Sequence, residues 1–210
     1  MVLKRRILVL KTGLWILGFT PIGWALYRFF EGDGFGANPI AELQLWGGLS
    51  TLTALLITVS VTPVRRLTGW NDLQKARRLI GLFAFFYVCL HFLIYIVLDQ
   101  TFSWMSIAED IVKRPYITVG FTAFLLLLPL ALTSTRGWIR RLGKRWQKLH
   151  RLVYAAGGLG VLHFFWKVKL DTRQPLIFAA ILFALLLVRV VRRPGRQPRR
   201  SRAADLATAD

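Results

Sequence analysis

The sequence predicts an all-α integral membrane protein, a bundle of six transmembrane helices with both termini on the cytoplasmic side. Two observations carry that prediction. Hydrophobic residues make up 55% of the 210, and they come in uninterrupted blocks of about 18 or more, the length that crosses the hydrocarbon of a bilayer. The basic residues lie between those blocks and crowd into alternate connections. A net charge of +19 on its own would suit a nucleic-acid binder. Lys and Arg dispersed between apolar blocks do not form one basic face, and that class is excluded. The single cysteine, Cys89, leaves no intrachain disulfide and no CxxC metal site.

Taken in order, the spans fall at residues 7–27, 44–62, 79–98, 115–133, 150–168 and 175–192. The first follows Met1-Val-Leu-Lys-Arg-Arg and looks like the start of a signal peptide. It has no small-x-small cleavage site and five spans come after it, so it reads as an uncleaved first helix. Lys4, Arg5, Arg6 and Lys11 open that span, and Arg65, Arg66, Lys75, Arg77 and Arg78 crowd the second connection. The fourth connection holds Arg136, Arg140, Arg141, Lys144, Arg145, Lys148 and Arg151, and the tail carries seven arginines from Arg189 to Arg202. The first, third and fifth connections hold fewer cations and most of the acids, Glu31, Asp33, Glu42, Asp99, Glu109, Asp110 and Asp171. Lys and Arg are retained on the cytoplasmic side, which sets the termini and the even connections inside and makes the chain a multi-pass membrane protein.

Trp104 and Trp166 near the outer ends, and Trp138 and Trp146 near the inner ends, read as interfacial anchors. Pro21 and Pro129 lie within spans, where membrane neighbours re-satisfy the freed backbone groups. Residues 193–210 form a basic, Pro-containing tail that turns small and polar, expected to be disordered and to hold the last helix in place or to meet anionic lipid.

A histidine inside a span is costly and usually functional. His91 lies thirteen residues after Arg78, the last charge before span three, and His163 lies thirteen residues after His150, at the start of span five. Thirteen residues of helix cover about 20 Å, so His91 and His163 sit at matching depth in the outer half of the bilayer. Two neutral imidazoles facing one another at one depth supply both axial ligands of a heme iron, and the macrocycle packs between helices. No third His, Cys or carboxylate stands at that depth to complete a zinc set. The bland alternative is hydrogen bonding between helices.

His150 suits a second redox group near the inner surface, or is simply an interfacial histidine. On a straight helix its side chain stands about 140° from that of His163, a difference that a bulge near Gly157, Gly158 and Gly160 would absorb. Arg77 and Arg78 stand at its depth on span three, able to pair with heme propionates or a quinone head group, or to serve as positive-inside anchors. Gly47 and Gly48 let a neighbour approach span two closely, a helix by default and a heme face as the lesser option. Cys89 reads as a small packing residue.

The stretches Arg77-Arg-Leu-Ile-Gly-Leu with His91, Lys113-Arg-Pro-Tyr-Ile-Thr-Val-Gly, Leu142-Gly-Lys-Arg-Trp-Gln-Lys-Leu-His150-Arg-Leu-Val-Tyr and His163-Phe-Phe-Trp-Lys-Val-Lys resemble the MsrQ (YedZ) family. The likeness runs from about residue 7 to residue 192 and makes residues 1–192 a ferric reductase-like transmembrane domain. It implies heme b held by His91, His150 and His163. It also implies electron delivery to a periplasmic molybdopterin methionine-sulfoxide reductase subunit of the MsrP type, which reduces oxidised methionines in proteins. The family is further associated with FMN, for which no flavin motif stands out. NADPH oxidases, in the same superfamily, have two histidines on the third core helix where this chain has one, and they carry a cytoplasmic flavin and nicotinamide domain. No GxGxxG context appears here, so the electrons are expected from the membrane quinone pool as quinol, or from a soluble flavin reductase. Sulfoxide chemistry would take place on the partner, and no catalytic acid, base or nucleophile is expected in this chain. The rival reading is a non-redox transporter whose histidines relay protons.

Overall fold

A computed structural model describes residues 2–31, 34–168 and 170–191. The described residues are helical, without strands. Helix α1 spans Val2–Phe30 and α2 spans Pro39–Thr68; α3, Leu73–Ile94, runs on into a π-helical turn at Tyr95–Asp99. Then come α4 (Trp104–Lys113), α5 (Pro115–Leu132), α6 (Arg136–Leu142), α7 (Lys144–Leu149), α8 (Leu152–Lys167) and α9 (Arg173–Val191).

Local chemistry sets the ends. Pro39 occupies the first turn of α2, the Asn38 side chain accepts from the Ala41 amide at 3.1 Å, and Gly69 closes the helix at φ +73 by donating to the Arg65 carbonyl. Ser103 caps α4 and Thr135 caps α6, while Pro115 starts α5. Gly143, at φ +50, divides α6 from α7.

The spine of the bundle is α2, α3, α5 and α8. Leu55 and Val59, Ala84 and Val88, Leu127 and Leu130, and Val153 and Ala156 come one pair from each and bury one another. Leu182 of α9 joins Leu52, Leu56, Val161 and Phe164 on one flank. Helix α1 leans on the other side. There Trp15 and Phe19 pack edge-on against Phe83, and the Tyr87 hydroxyl donates to the Gly18 carbonyl. The outward faces stay apolar and open, as with Ile16 and Leu17 on α1 or Phe183 on α9, a pattern that only a lipid solvent tolerates over such areas.

Among the described residues five helical stretches are long and apolar enough to cross a membrane: Arg5–Phe30, Pro39–Thr68, Leu73–Asp99, Pro115–Leu132 and Arg173–Val191. The chain is thus a multi-pass helical membrane protein. The expected fifth span corresponds to α8, whose 16 residues rise about 24 Å, short of a full crossing by themselves. Helices α1 and α5 run through Pro21 and Pro129 without interruption. Residues 193–210 lie outside the described residues.

Two sequence expectations need revision. No bulge interrupts α8, which is regular α-helix through Gly157, Gly158 and Gly160. His150 is instead the C-cap of α7, ahead of α8 altogether. The irregular turn lies at Tyr95–Asp99, next to Thr101 and Phe102 at φ +44 and +60, a left-handed conformation that is strained for a β-branched residue. Trp146, expected near the inner interface, stacks its ring on His150 with centroids 3.9 Å apart and donates its Nε1–H to the Thr133 carbonyl at 2.9 Å.

Candidate cofactor site

Between α2, α3, α5 and α8 lies an open-mouthed cavity lined mostly by apolar side chains. His91 and His163 both line it, their ring centroids 6.2 Å apart and their planes 80° from parallel. With metal–imidazole bonds of about 2 Å, two rings gripping one ion from opposite sides have centroids roughly 6 Å apart. The separation fits a shared ligand atom.

Each imidazole rests on a glycine of the neighbouring helix. A β-carbon on Gly47 would come within 3.3 Å of the His91 Cα and Cβ, and one on Gly48 within 3.4 Å of its Cε1. Across the cavity, a β-carbon on Gly120 would lie only 2.6 Å from His163 Nδ1. The His163 Nδ1–H donates to the Tyr116 carbonyl at 2.7 Å, which leaves Nε2 as the nitrogen free to bind a metal. His91 Nδ1 is buried without a hydrogen bond; the Gln44 backbone lies nearby but does not meet hydrogen-bonding geometry. Gln44 also lines the cavity, and its Nε2 is likewise buried and unpartnered.

Apolar walls complete the space. Phe92 stacks on Phe124 at 4.9 Å and leans on Phe121 at 5.8 Å, the lining a flat macrocycle packs against. Tyr95, Asp99, Arg114 and Lys167 add polar groups to the lining. Beside the cavity Asp110, 9% exposed, accepts from the Tyr95 hydroxyl at 3.0 Å and Gln100 Nε2 at 3.1 Å, and pairs with Arg114 Nε at 3.0 Å. Among the described residues no group of three or more His, Cys, Asp or Glu is arranged to hold a metal ion.

Of the residues singled out in the sequence, His91 and His163 meet at the cavity while His150, Arg77 and Arg78 do not border it. His150 Nε2 lies 3.2 Å from Thr133 Oγ1, and that hydroxyl donates its proton to the Pro129 carbonyl at 2.6 Å. One hydroxyl carries one proton, so His150 is the donor in the pair. Arg77 acts electrostatically on His150 from α3, and Arg78 is exposed. Cys89 is a free thiol. Sequence reasoning passed over Gln44, Asp110, Tyr116 and Gly120. The last two stood in a recognised motif, but nothing in their spacing ties them to a histidine forty residues away.

Residues 43–161 match the family described as ferric reductase like transmembrane component. With its multi-pass helical bundle, the chain is in class a ferric reductase-like transmembrane protein. Curated relatives narrow the class. A Rhodospirillum rubrum protein named protein-methionine-sulfoxide reductase heme-binding subunit MsrQ is 53% identical over 94% of this chain and 97% of its own length. Proteins of the same name from Xanthomonas euvesicatoria pv. vesicatoria and Xanthomonas campestris pv. campestris are each 48% identical, over 88% and 89% of this chain and 87% and 88% of their own lengths. The chain belongs to the MsrQ family.

Proposed function

We propose that this protein binds heme b between His91 and His163 and carries electrons through the membrane to a periplasmic methionine-sulfoxide reductase. The observation supporting this most directly is the 6.2 Å approach of the two rings in the cavity that both of them line. The printed names of relatives at 48–53% identity, heme-binding subunits of such a reductase, point the same way.

When bound, the heme supplies reversible one-electron chemistry in a low-dielectric interior. The chain's residues do the rest. Tyr116 holds His163 in the Nδ1–H tautomer and makes its Nε2 the more basic. Gly47, Gly48 and Gly120 bring α2 and α5 against the imidazoles and keep bulk away from the iron position. Phe92, Phe121 and Phe124 exclude water and keep the dielectric low.

The six-span topology with cytoplasmic termini belongs to the same reading. Electrons enter at the inner end, where His150 and Arg77 face the side on which quinol or a flavin reductase would arrive. They leave on the outer side, toward a molybdopterin subunit of the MsrP type. The test is the absorption spectrum of the purified protein with its iron-to-protein ratio. A b-type spectrum with at least one iron per chain is expected. A colourless, iron-free protein after expression with ample heme would overturn the proposal and favour a proton relay through the same histidines.

A further inference from the structure

Four helix ends meet at the His150 end of the bundle, and each brings arginine. The last turns of α2 and α9 carry Arg65 with Arg66, and Arg189; Arg77 lies early in α3 and Arg151 just ahead of α8. The charges of Arg77, Arg66 and Arg151 all act on Arg189. Yet Arg189 is not a solvated surface group. Its guanidinium lies over the Tyr154 ring, 4.8 Å from the centroid, and its Nη1 is buried with no hydrogen-bond partner. Arg65 Nε is buried and unpartnered in the same way.

Among the described residues no carboxylate pairs with Arg65 or Arg189, and Asp72, just ahead of α3, is engaged by Lys75 at 2.8 Å. Buried guanidinium N–H groups without an acceptor, set among like charges, are costly unless an anion completes the site. Positive-inside anchoring alone does not produce this arrangement. Arg140, Arg141 and Arg145 serve that purpose on the same side and are exposed, with no need of burial. Guanidinium forks match the oxygens of a phosphate, and this end of the bundle lies at the depth where lipid phosphates are found.

We propose that Arg77, Arg151 and Arg189, with Arg65 at the edge, form a binding site for a phosphate group at the cytoplasmic end of the bundle. The group belongs either to an anionic phospholipid or to a soluble phosphate, and the site is independent of the His91–His163 cavity.

The experiment compares melting of the heme-loaded protein in phosphatidylcholine nanodiscs, in phosphatidylglycerol nanodiscs, and in phosphatidylcholine with inorganic pyrophosphate. Wild type is expected to melt higher with phosphatidylglycerol, with pyrophosphate, or with both; the active arm identifies the source. Arg189→Gln should weaken that response at least about tenfold in ligand concentration, the loss expected for a charge-assisted hydrogen bond, while Arg140→Gln keeps it. Equal loss in both variants would mean a diffuse basic surface and would overturn the proposal, as would no response in any arm. Should Arg189→Gln fail to fold, phenylglyoxal labelling of wild type decides. Arg189 should be protected by the active ligand and Arg140 should not, and equal labelling would overturn the site.

Discussion

Gly120 of α5 and His163 of α8 are in backbone-to-ring contact: the space where a side chain at 120 would begin is filled by the imidazole, 2.6 Å from Nδ1. The same turn of α5 offers the Tyr116 carbonyl that takes the His163 proton at 2.7 Å. One helical turn therefore sets the position, plane and tautomer of this ring. Gly120→Ala must displace either α5 or His163, and overpacking of this kind costs about 1–3 kcal/mol. We expect a lower melting temperature and strongly reduced heme content. Gly48→Ala is the control. Its added methyl would meet His91 Cε1 at 3.4 Å, ordinary contact, so most of the heme should be retained. Reversed severities in pyridine hemochrome assays would refute this account of the contact.

The two cavity histidines give the plainest test. His91→Ala and His163→Ala should each abolish or strongly reduce bound heme while the protein still inserts and resists protease. Normal heme content in either variant would rule out the paired assignment.

How much of this was legible beforehand follows from what sequence encodes. Depth along a helix is linear in residue number, so counting thirteen residues from Arg78 and from His150 anticipated that His91 and His163 share a level, and their rings do meet. Rotation and neighbour choice are not linear. That Gly120 would back His163, or that Gly47 and Gly48 would back His91 rather than another helix, depends on which faces α2, α3, α5 and α8 turn inward. The polar network around Asp110 was hidden for a related reason. Asp110 looked like one more acid of an outer connection, but the π turn at Tyr95–Asp99 aims Tyr95 and Gln100 at its carboxylate.

That network yields another expectation. Asp110→Ala would leave the Tyr95 hydroxyl, Gln100 Nε2 and Arg114 without their shared acceptor. Unmaking such a half-buried network costs about 1–3 kcal/mol. The loss should appear as faster hydrogen exchange in α4 and the π turn, with His91 and His163 still binding heme. Unchanged exchange there would mean that Asp110 does not hold α4 to the bundle.

Topology can be read with fusions. If the segregated positive charge holds both ends inside, as proposed, a reporter after Asp210 should behave as cytoplasmic and one near Glu109 as periplasmic. The reverse result would turn the direction of electron flow around.

His150 is the histidine whose role is least determined by its neighbours' chemistry, and its geometry makes a sharp test possible. Its ring lies on Trp146 at 3.9 Å and its Nε2–H is spent on Thr133, so it joins α7 to the end of α5 and does not reach the His91–His163 cavity. From Leu152 to His163, α8 rises about 16 Å, which separates the two histidines by much of the membrane half. Removing His150 should therefore leave the spectrum of heme at the cavity unchanged. If electrons enter at the inner end beside His150 and Arg77, His150→Ala should slow heme reduction by quinol or by a flavin reductase in stopped flow. Loosening of α7 alone would slow it too. Thr133→Val controls for that, since it breaks the same hydrogen bond and leaves the imidazole in place. A slow His150→Ala beside a fast Thr133→Val assigns the effect to the imidazole itself. Equal slowing of both assigns it to the joint between α7 and α5. Wild-type rates in both, with heme intact, would mean that electrons enter elsewhere and that His150 is only an interfacial side chain.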